Sequence, residues 1–84
     1  MRSVTVYTTE ACPFCVSAKM LLKRRNIAFE EINLARDPDG RTKLIEKTGM
    51  YTFPQILIDG RSIGGFRELL AADRAGRLQE LLAA

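Results

Sequence analysis

The sequence predicts a single α/β domain: a four-stranded mixed sheet flanked by helices, in the order β-α-β-α-β-β-α. Short runs rich in β-branched and aromatic residues alternate with helical patterns, an Asp-Gly turn joins the last two runs, and leucines at helical spacing close the chain. With 84 residues, 46% of them hydrophobic, we expect one compact domain over residues 1–84.

The first strand and helix lie within residues 3–25. Residues 3–8 are rich in β-branched side chains and include the aromatic Tyr7, which is typical of a strand. From Pro13 to Arg25, apolar positions recur at i, i+4, i+7 and i+8 and predict a helix that buries one stripe on the sheet: Phe14, Ala18, Leu21 and Leu22. Asn26 is a plausible left-handed stop for this helix.

The second strand and helix are predicted over residues 27–48. Residues 27–34 alternate only partly, because two glutamates are adjacent. Asp37 then suits the N-cap and Pro38 the first helical position. The helix is predicted to continue to about Thr48 and to stop at Gly49, with Leu44 and Ile45 turned inward.

The last third of the chain predicts a β-hairpin and a terminal helical region. Residues 55–58 and 61–63 flank Asp59-Gly60, a pair that suits a two-residue type I′ turn. After Gly64-Gly65, the helical region is marked by Leu69, Leu70, Leu78, Leu81 and Leu82. We expect Gly76 to kink or divide it.

Cys12-Pro13-Phe14-Cys15 lies between the first strand and the first helix and predicts a redox-active dithiol. At the start of a helix, unpaired N–H groups and the helix dipole favour a thiolate, so Cys12 is the expected nucleophile. Cys15 lies one turn deeper on the same face, from where its sulfur can resolve a mixed disulfide on Cys12. Pro13 fits the first helical position.

Two cysteines at this spacing also occur in zinc sites and in structural disulfides. The chain has two Cys and no His, so a monomer cannot supply the four ligands of structural zinc, although a site shared across a dimer stays open. A structural disulfide over so short a loop removes little entropy from the unfolded chain. The strand–turn–helix context favours redox use.

Charge and hydropathy limit the partners. The net charge of +3 is scattered, which argues against a nucleic-acid-binding protein. We expect a monomer. No run has the length of a membrane span and no secretory signal is evident, so we also expect the protein to lie in the cytoplasm. In that reducing compartment two cysteines would cycle between thiol and disulfide.

Three motifs together resemble the glutaredoxin family over essentially the whole chain. Cys12-Pro13-Phe14-Cys15 resembles the dithiol motif Cys-Pro-Tyr-Cys, Thr52-Phe53-Pro54 resembles Thr-Val-Pro, and Gly64-Gly65 resembles the Gly-Gly turn before the last helix. The resemblance implies a thioredoxin-like fold and a glutathione-dependent thiol–disulfide oxidoreductase acting on protein disulfides and glutathionylated proteins. It implies Cys12 and Cys15 as catalytic residues, and glutathione as co-substrate with no permanently bound cofactor.

The resemblance also implies a glutathione groove. In this family the proline matching Pro54 is cis and lies beside the dithiol, and the backbone of the residue matching Phe53 pairs with the cysteinyl part of glutathione. The amides of Phe66 and Arg67 match those that hold the γ-glutamyl carboxylate, and Glu68 stands where an aspartate is usual. The implied glutathione-binding residues are Phe14, Thr52, Phe53, Pro54, Gly65, Phe66, Arg67 and Glu68.

Some positions depart from the family pattern. Thr9 replaces a frequent lysine, and Met50 and Tyr51 replace a basic or polar residue. The family's contacts to the glycyl carboxylate of glutathione at these positions are therefore lost, and looser binding is expected. Gly65-Phe66-Arg67 resembles the Gly-Phe-Arg of NrdH-type redoxins, which thioredoxin reductase reduces and which donate electrons to ribonucleotide reductase. That activity is one alternative. An iron–sulfur cluster held by Cys12 of two subunits and two glutathiones, or zinc shared across a dimer, is another.

Overall fold

The computed structural model describes residues 1–83. In chain order the elements are β1 (Val4–Thr8), α1 (Pro13–Arg24), β2 (Glu30–Asn33), α2 (Pro38–Thr48), β3 (Gln55–Ile58), β4 (Arg61–Gly64), α3 (Phe66–Arg74) and α4 (Leu78–Leu82). The strands lie in the order β2-β1-β3-β4. The β1–β2 pair is parallel and the other two pairs are antiparallel, which confirms the predicted mixed sheet.

Both faces of the sheet are covered. The main core lies on the face packed by α1, α3 and α4; its fully buried side chains include Val6, Leu22, Ile56, Leu69 and Leu82. A smaller cluster on the opposite face joins Leu34, Leu44 of α2 and Leu57. The central strand β3 is therefore buried at every position, because successive side chains point to opposite faces that are both packed.

Local signals in the sequence fix the helix ends as predicted. The Asp37 carboxylate accepts the Gly40 N–H at 2.9 Å and caps α2, and Gly49 ends that helix in the left-handed region with a φ of 74°. Asn26 follows α1 with a φ of 58°. Each stop satisfies carbonyls at a helix end and turns the chain back toward the sheet.

The hairpin and the divided terminal helix also match the predictions. Asp59 and Gly60 have φ values of 50° and 80°, as the two central positions of a type I′ turn require. In β4 the pairing register shifts, because Leu57 faces Ser62 but Ile56 faces Gly64. Gly76, with a φ of 70°, separates α3 from α4.

The prediction for the second strand was wrong in its extent. The strand covers only Glu30–Asn33, not residues 27–34. Ile27 is buried in the main core, and its N–H donates to the Leu22 carbonyl at 2.9 Å. Its apolar character therefore serves packing at the end of α1 and not pairing in the sheet.

No helix within residues 1–83 is long and apolar enough to cross a bilayer.

Candidate active site

The two cysteines are joined by a disulfide at the start of α1. Cys12 occupies the N-cap with extended backbone, and the Cα atoms of Cys12 and Cys15 are 5.2 Å apart. The Cys15 N–H donates to Cys12 Sγ at 3.1 Å. Cys12 is half-buried whereas Cys15 is only 2% exposed. The outer sulfur is thus reachable by a substrate, and the inner one lies beneath it.

Backbone amides favour the nucleophilic form of Cys12 once the disulfide is reduced. As the N-cap, its sulfur lies among the free N–H groups of the first turn and at the positive end of the α1 dipole. Both influences stabilise a thiolate more than a thiol. No acidic side chain lies in the first turn of α1 to oppose them.

A groove of about 460 Å³ lies beside the dithiol. The peptide bond between Phe53 and Pro54 is cis, as the resemblance implied. The Phe53 carbonyl oxygen lies 3.8 Å from Cys12 Sγ, which places this loop against the sulfur. The structure brings together all the residues predicted for the groove and adds Met50; the lining is Phe14, Met50, Thr52, Phe53, Pro54, Gly65, Phe66, Arg67 and Glu68.

Phe14 belongs to the groove and not to the core. The prediction that it contributes to the buried stripe of α1 was wrong, since 59% of it is exposed. Its ring stacks on that of Phe66, with 5.9 Å between centroids and an angle of 18° between the planes. The first turn of α1 and the start of α3 therefore present an aromatic wall to a ligand.

The start of α3 depends on two glycines and a glutamate. Gly65 is the N-cap, and its N–H donates to Glu68 Oε1 at 2.7 Å. A Cβ on Gly64 would lie 2.6 Å from Glu68 Cγ and Oε1, and one on Gly65 would lie 3.2 Å from the Pro54 carbonyl oxygen. Glu68 was predicted as a ligand contact; its carboxylate also holds the helix start at the rim of the groove.

The four departures from the family pattern lie at different positions relative to the groove. Tyr51 is 77% exposed and is not part of the groove lining, whereas Met50 is half-buried within it. Thr9 is also outside the lining. Arg67 is exposed in the first turn of α3, so its cation lies at the rim of the groove.

Sequence reasoning missed the role of Gln55, which lies outside the groove lining and is hydrogen-bonded to Met50 within it. It is fully buried, and its amide bonds to Thr48 and Met50. A polar residue in a strand of otherwise apolar side chains was the available signal.

An ion pair supports the end of β1 behind the dithiol loop. Buried Thr8 donates its hydroxyl to Glu31 Oε2 at 2.8 Å, and Lys19 Nζ lies 3.0 Å from the same oxygen. These hydrogen bonds, that of Thr8 first, lower the pKa of Glu31 below its ordinary value. The three side chains connect β1, α1 and β2.

In the part of the chain that the structure describes, no three His, Cys, Asp or Glu side chains come together as a metal site would require.

The comparisons with known proteins agree with this geometry. The sequence model of the glutaredoxin family matches residues 4–63. Glutaredoxin from Pseudomonas aeruginosa is 44% identical over 84 residues and matches 100% of both chains. Glutaredoxin 3 of Escherichia coli is 40% identical over 82 residues, covering 98% of this chain and 99% of that protein.

Solved structures are similar along nearly the whole chain. The solution structure of glutaredoxin from Brucella melitensis has a TM-score of 0.86 and 40% identity, covering 98% of this chain and 89% of that one. The crystal structure of a buckwheat glutaredoxin–glutathione complex has a TM-score of 0.87 and 27% identity, covering 96% of this chain and 76% of that one. The chain therefore belongs to the glutaredoxin family and is a thiol–disulfide oxidoreductase.

Proposed function

We propose that the chain uses glutathione to reduce protein disulfides and protein–glutathione mixed disulfides. The observation that carries this proposal is the groove beside Cys12, whose lining contains every residue that the family resemblance assigned to glutathione. The similar buckwheat glutaredoxin forms a complex with glutathione. A tripeptide also suits the groove, because its volume of about 460 Å³ falls within the usual range for small-molecule sites.

The proposed reaction begins with the accessible sulfur. The Cys12 thiolate attacks the glutathionyl sulfur of a mixed disulfide, forms a Cys12–glutathione disulfide and releases the protein thiolate, which takes up a proton. A second glutathione thiolate attacks the glutathionyl sulfur, so that Cys12 leaves as a thiolate with oxidised glutathione as the product. These reaction steps require no general base, because the start of α1 already favours the Cys12 thiolate.

A protein disulfide requires the second cysteine. Cys12 attacks one sulfur of the substrate, and the other sulfur leaves as a thiolate. The Cys15 thiolate then attacks Cys12 Sγ and releases the fully reduced substrate, leaving a Cys12–Cys15 disulfide. Two glutathiones return this disulfide to the dithiol and become oxidised glutathione. The burial of Cys15 behind Cys12 supports this division of roles.

Single cysteine variants test the two routes. We expect Cys12→Ser to lose all activity, since the remaining thiol of Cys15 is buried and out of reach of a substrate, and Cys15→Ser to keep the deglutathionylation of a peptide. The rate is followed as NADPH oxidation with glutathione and glutathione reductase. Equal loss in both variants would contradict the route that uses Cys12 alone.

Arg67 favours a second candidate, an NrdH-like donor reduced by thioredoxin reductase. Its exposed cation at the rim of the groove completes the redoxin-like Gly65-Phe66-Arg67 segment. The substrate in that case would be the disulfide of ribonucleotide reductase. Rapid NADPH oxidation with thioredoxin reductase, together with none in the glutathione system, would establish this candidate in place of the first.

The proposal includes the cytoplasm as the place of action. Both reductants considered act in reducing compartments, where the Cys12–Cys15 disulfide is an intermediate of the cycle and not a permanent crosslink.

A further inference from the structure

We infer that Gln55 and Thr48 are positioning residues that hold Met50–Pro54, here called the groove loop, at the distance from Cys12 that substrate binding needs. This inference rests on the proposed function, because it assigns a way of controlling affinity at the same groove. The groove loop supplies Met50, Thr52, Phe53 and Pro54 to the groove lining. Neither Gln55 nor Thr48 is part of that lining.

Gln55 is a buried amide with both polar atoms satisfied. It is 0% exposed in a strand whose other members are apolar. Its Nε2 donates to the Met50 carbonyl at 2.9 Å, and its Oε1 accepts from Thr48 Oγ1 at 2.8 Å. A reversed amide would place two acceptors face to face at Met50, so the orientation is determined by the network. Such a group is costly to bury unless these partners stay in place.

Thr48 completes the hold on Met50. Its Oγ1 accepts the Met50 N–H at 3.1 Å, so both backbone polar groups of this residue are bound by the two side chains. The Thr48 hydroxyl has one proton and lies 3.0 Å from the Leu44 carbonyl as well. The Leu44 carbonyl is also part of the helix, so it depends less on the Thr48 hydroxyl. Removing that hydroxyl therefore leaves Gln55 Oε1 as the acceptor that loses its hydrogen bond at the greater cost.

The side chain of Gln55 closes the groove loop on itself. Gln55 directly follows Pro54 at one end, and its amide binds Met50 at the other. Residues 51–53 take part in none of the loop and turn backbone hydrogen bonds found within residues 1–83. The side-chain network is thus the polar tether of this segment, and removing it would increase the conformational entropy of the loop.

Small movements of the groove loop would alter the groove. The Phe53 carbonyl oxygen lies 3.8 Å from Cys12 Sγ on one side. On the other side, the Pro54 carbonyl lies 3.2 Å from where a Cβ on Gly65 would stand. The loop is therefore fitted between the reacting sulfur and the start of α3. A displaced loop weakens ligand contacts but leaves the dithiol on α1 unchanged.

The test compares Thr48→Val with Thr48→Ser. Valine keeps the shape and removes the hydroxyl, whereas serine keeps the hydroxyl. With a glutathionylated peptide as substrate, we expect Thr48→Val to raise KM about tenfold, with kcat changed much less, and Thr48→Ser to retain the wild-type KM. The rate at which iodoacetamide alkylates Cys12 is expected to stay unchanged. NMR order parameters of Thr52 and Phe53 are expected to fall in Thr48→Val alone.

Two results decide against the inference. A wild-type KM in Thr48→Val would overturn it, and so would a parallel fall in kcat, alkylation rate and folded fraction, which indicates a merely structural role. If Thr48→Val does not fold, Gln55→Met is measured in the same way. If the wild type itself lacks glutathione activity, the proposed function fails; the order parameters alone then decide whether the two side chains position the loop.

Discussion

Replacing Gly64 by alanine tests whether the start of α3 depends on the absence of a side chain beside Glu68. Gly64 has a φ of 112°, a region that L residues rarely adopt. Its added Cβ would lie 2.6 Å from both Cγ and Oε1 of Glu68. Glu68 would have to move, and its hydrogen bond from the Gly65 N–H would be lost.

The expected loss of stability is the sum of two effects. Backbone strain in this region costs about 1–3 kcal/mol. Loss of the hydrogen bond at the helix start adds about 1 kcal/mol. Gly49→Ala is the matched control, because Gly49 also has a positive φ, 74°, but a Cβ there would meet nothing within 4 Å. We expect about 1–2 kcal/mol for this control and about 3 kcal/mol for Gly64→Ala.

The assay is urea unfolding of both variants, repeated for Gly64→Ala in a Glu68→Ala background. Truncation of Glu68 removes the two closest clashing atoms, Cγ and Oε1, and leaves only its Cβ at 2.9 Å. The two substitutions should therefore be less than additive by about 1 kcal/mol. Strict additivity would show that Gly64 and Glu68 do not interact and would refute the steric explanation. Equal losses for Gly64→Ala and Gly49→Ala would refute it as well.

Two further predictions concern Phe14 and Glu31. Phe14→Ala should lower the unfolding free energy, measured in urea, by only about 1 kcal/mol, the value of an exposed aromatic stack. A loss of about 3–5 kcal/mol would contradict this and indicate that Phe14 is a core residue. The pKa of Glu31 is lowered on folding, so its carboxylate stabilises the protein fully above its ordinary pKa of 4.5 and loses this effect as the pH falls below that value. The stability difference between wild type and Glu31→Gln should therefore shrink on acidification below pH 4.5, and a constant difference would contradict this assignment.

The features predicted correctly from sequence depend on residues close together in the chain. Asp37 caps α2 by accepting an N–H only three residues away, and Asp59-Gly60 sets its own turn through backbone conformation. Such signals need no knowledge of the tertiary structure. Gly49 is similar, because a left-handed stop depends only on the local backbone.

The errors came from side chains whose environment is tertiary. Helical spacing placed Phe14 on the buried stripe of α1. The first turn of α1 lies at the groove, however, and there the Phe14 ring stacks on that of Phe66. Ile27 is apolar because it packs in the core, although the pattern alone predicted a strand. Periodicity identifies which residues are apolar on one face of an element, but it does not identify the surface against which they pack.

The chemistry and the choice of reductant depend on different parts of the fold. The dithiol lies on α1, where the N-cap position activates Cys12 regardless of what fills the groove. The groove is assembled mainly from the loop before β3 and the start of α3, with Phe14 as the contribution of α1, and its only cationic side chain in the described lining is Arg67. Substitution at Arg67 should therefore change which reductant is preferred without changing the reactivity of Cys12.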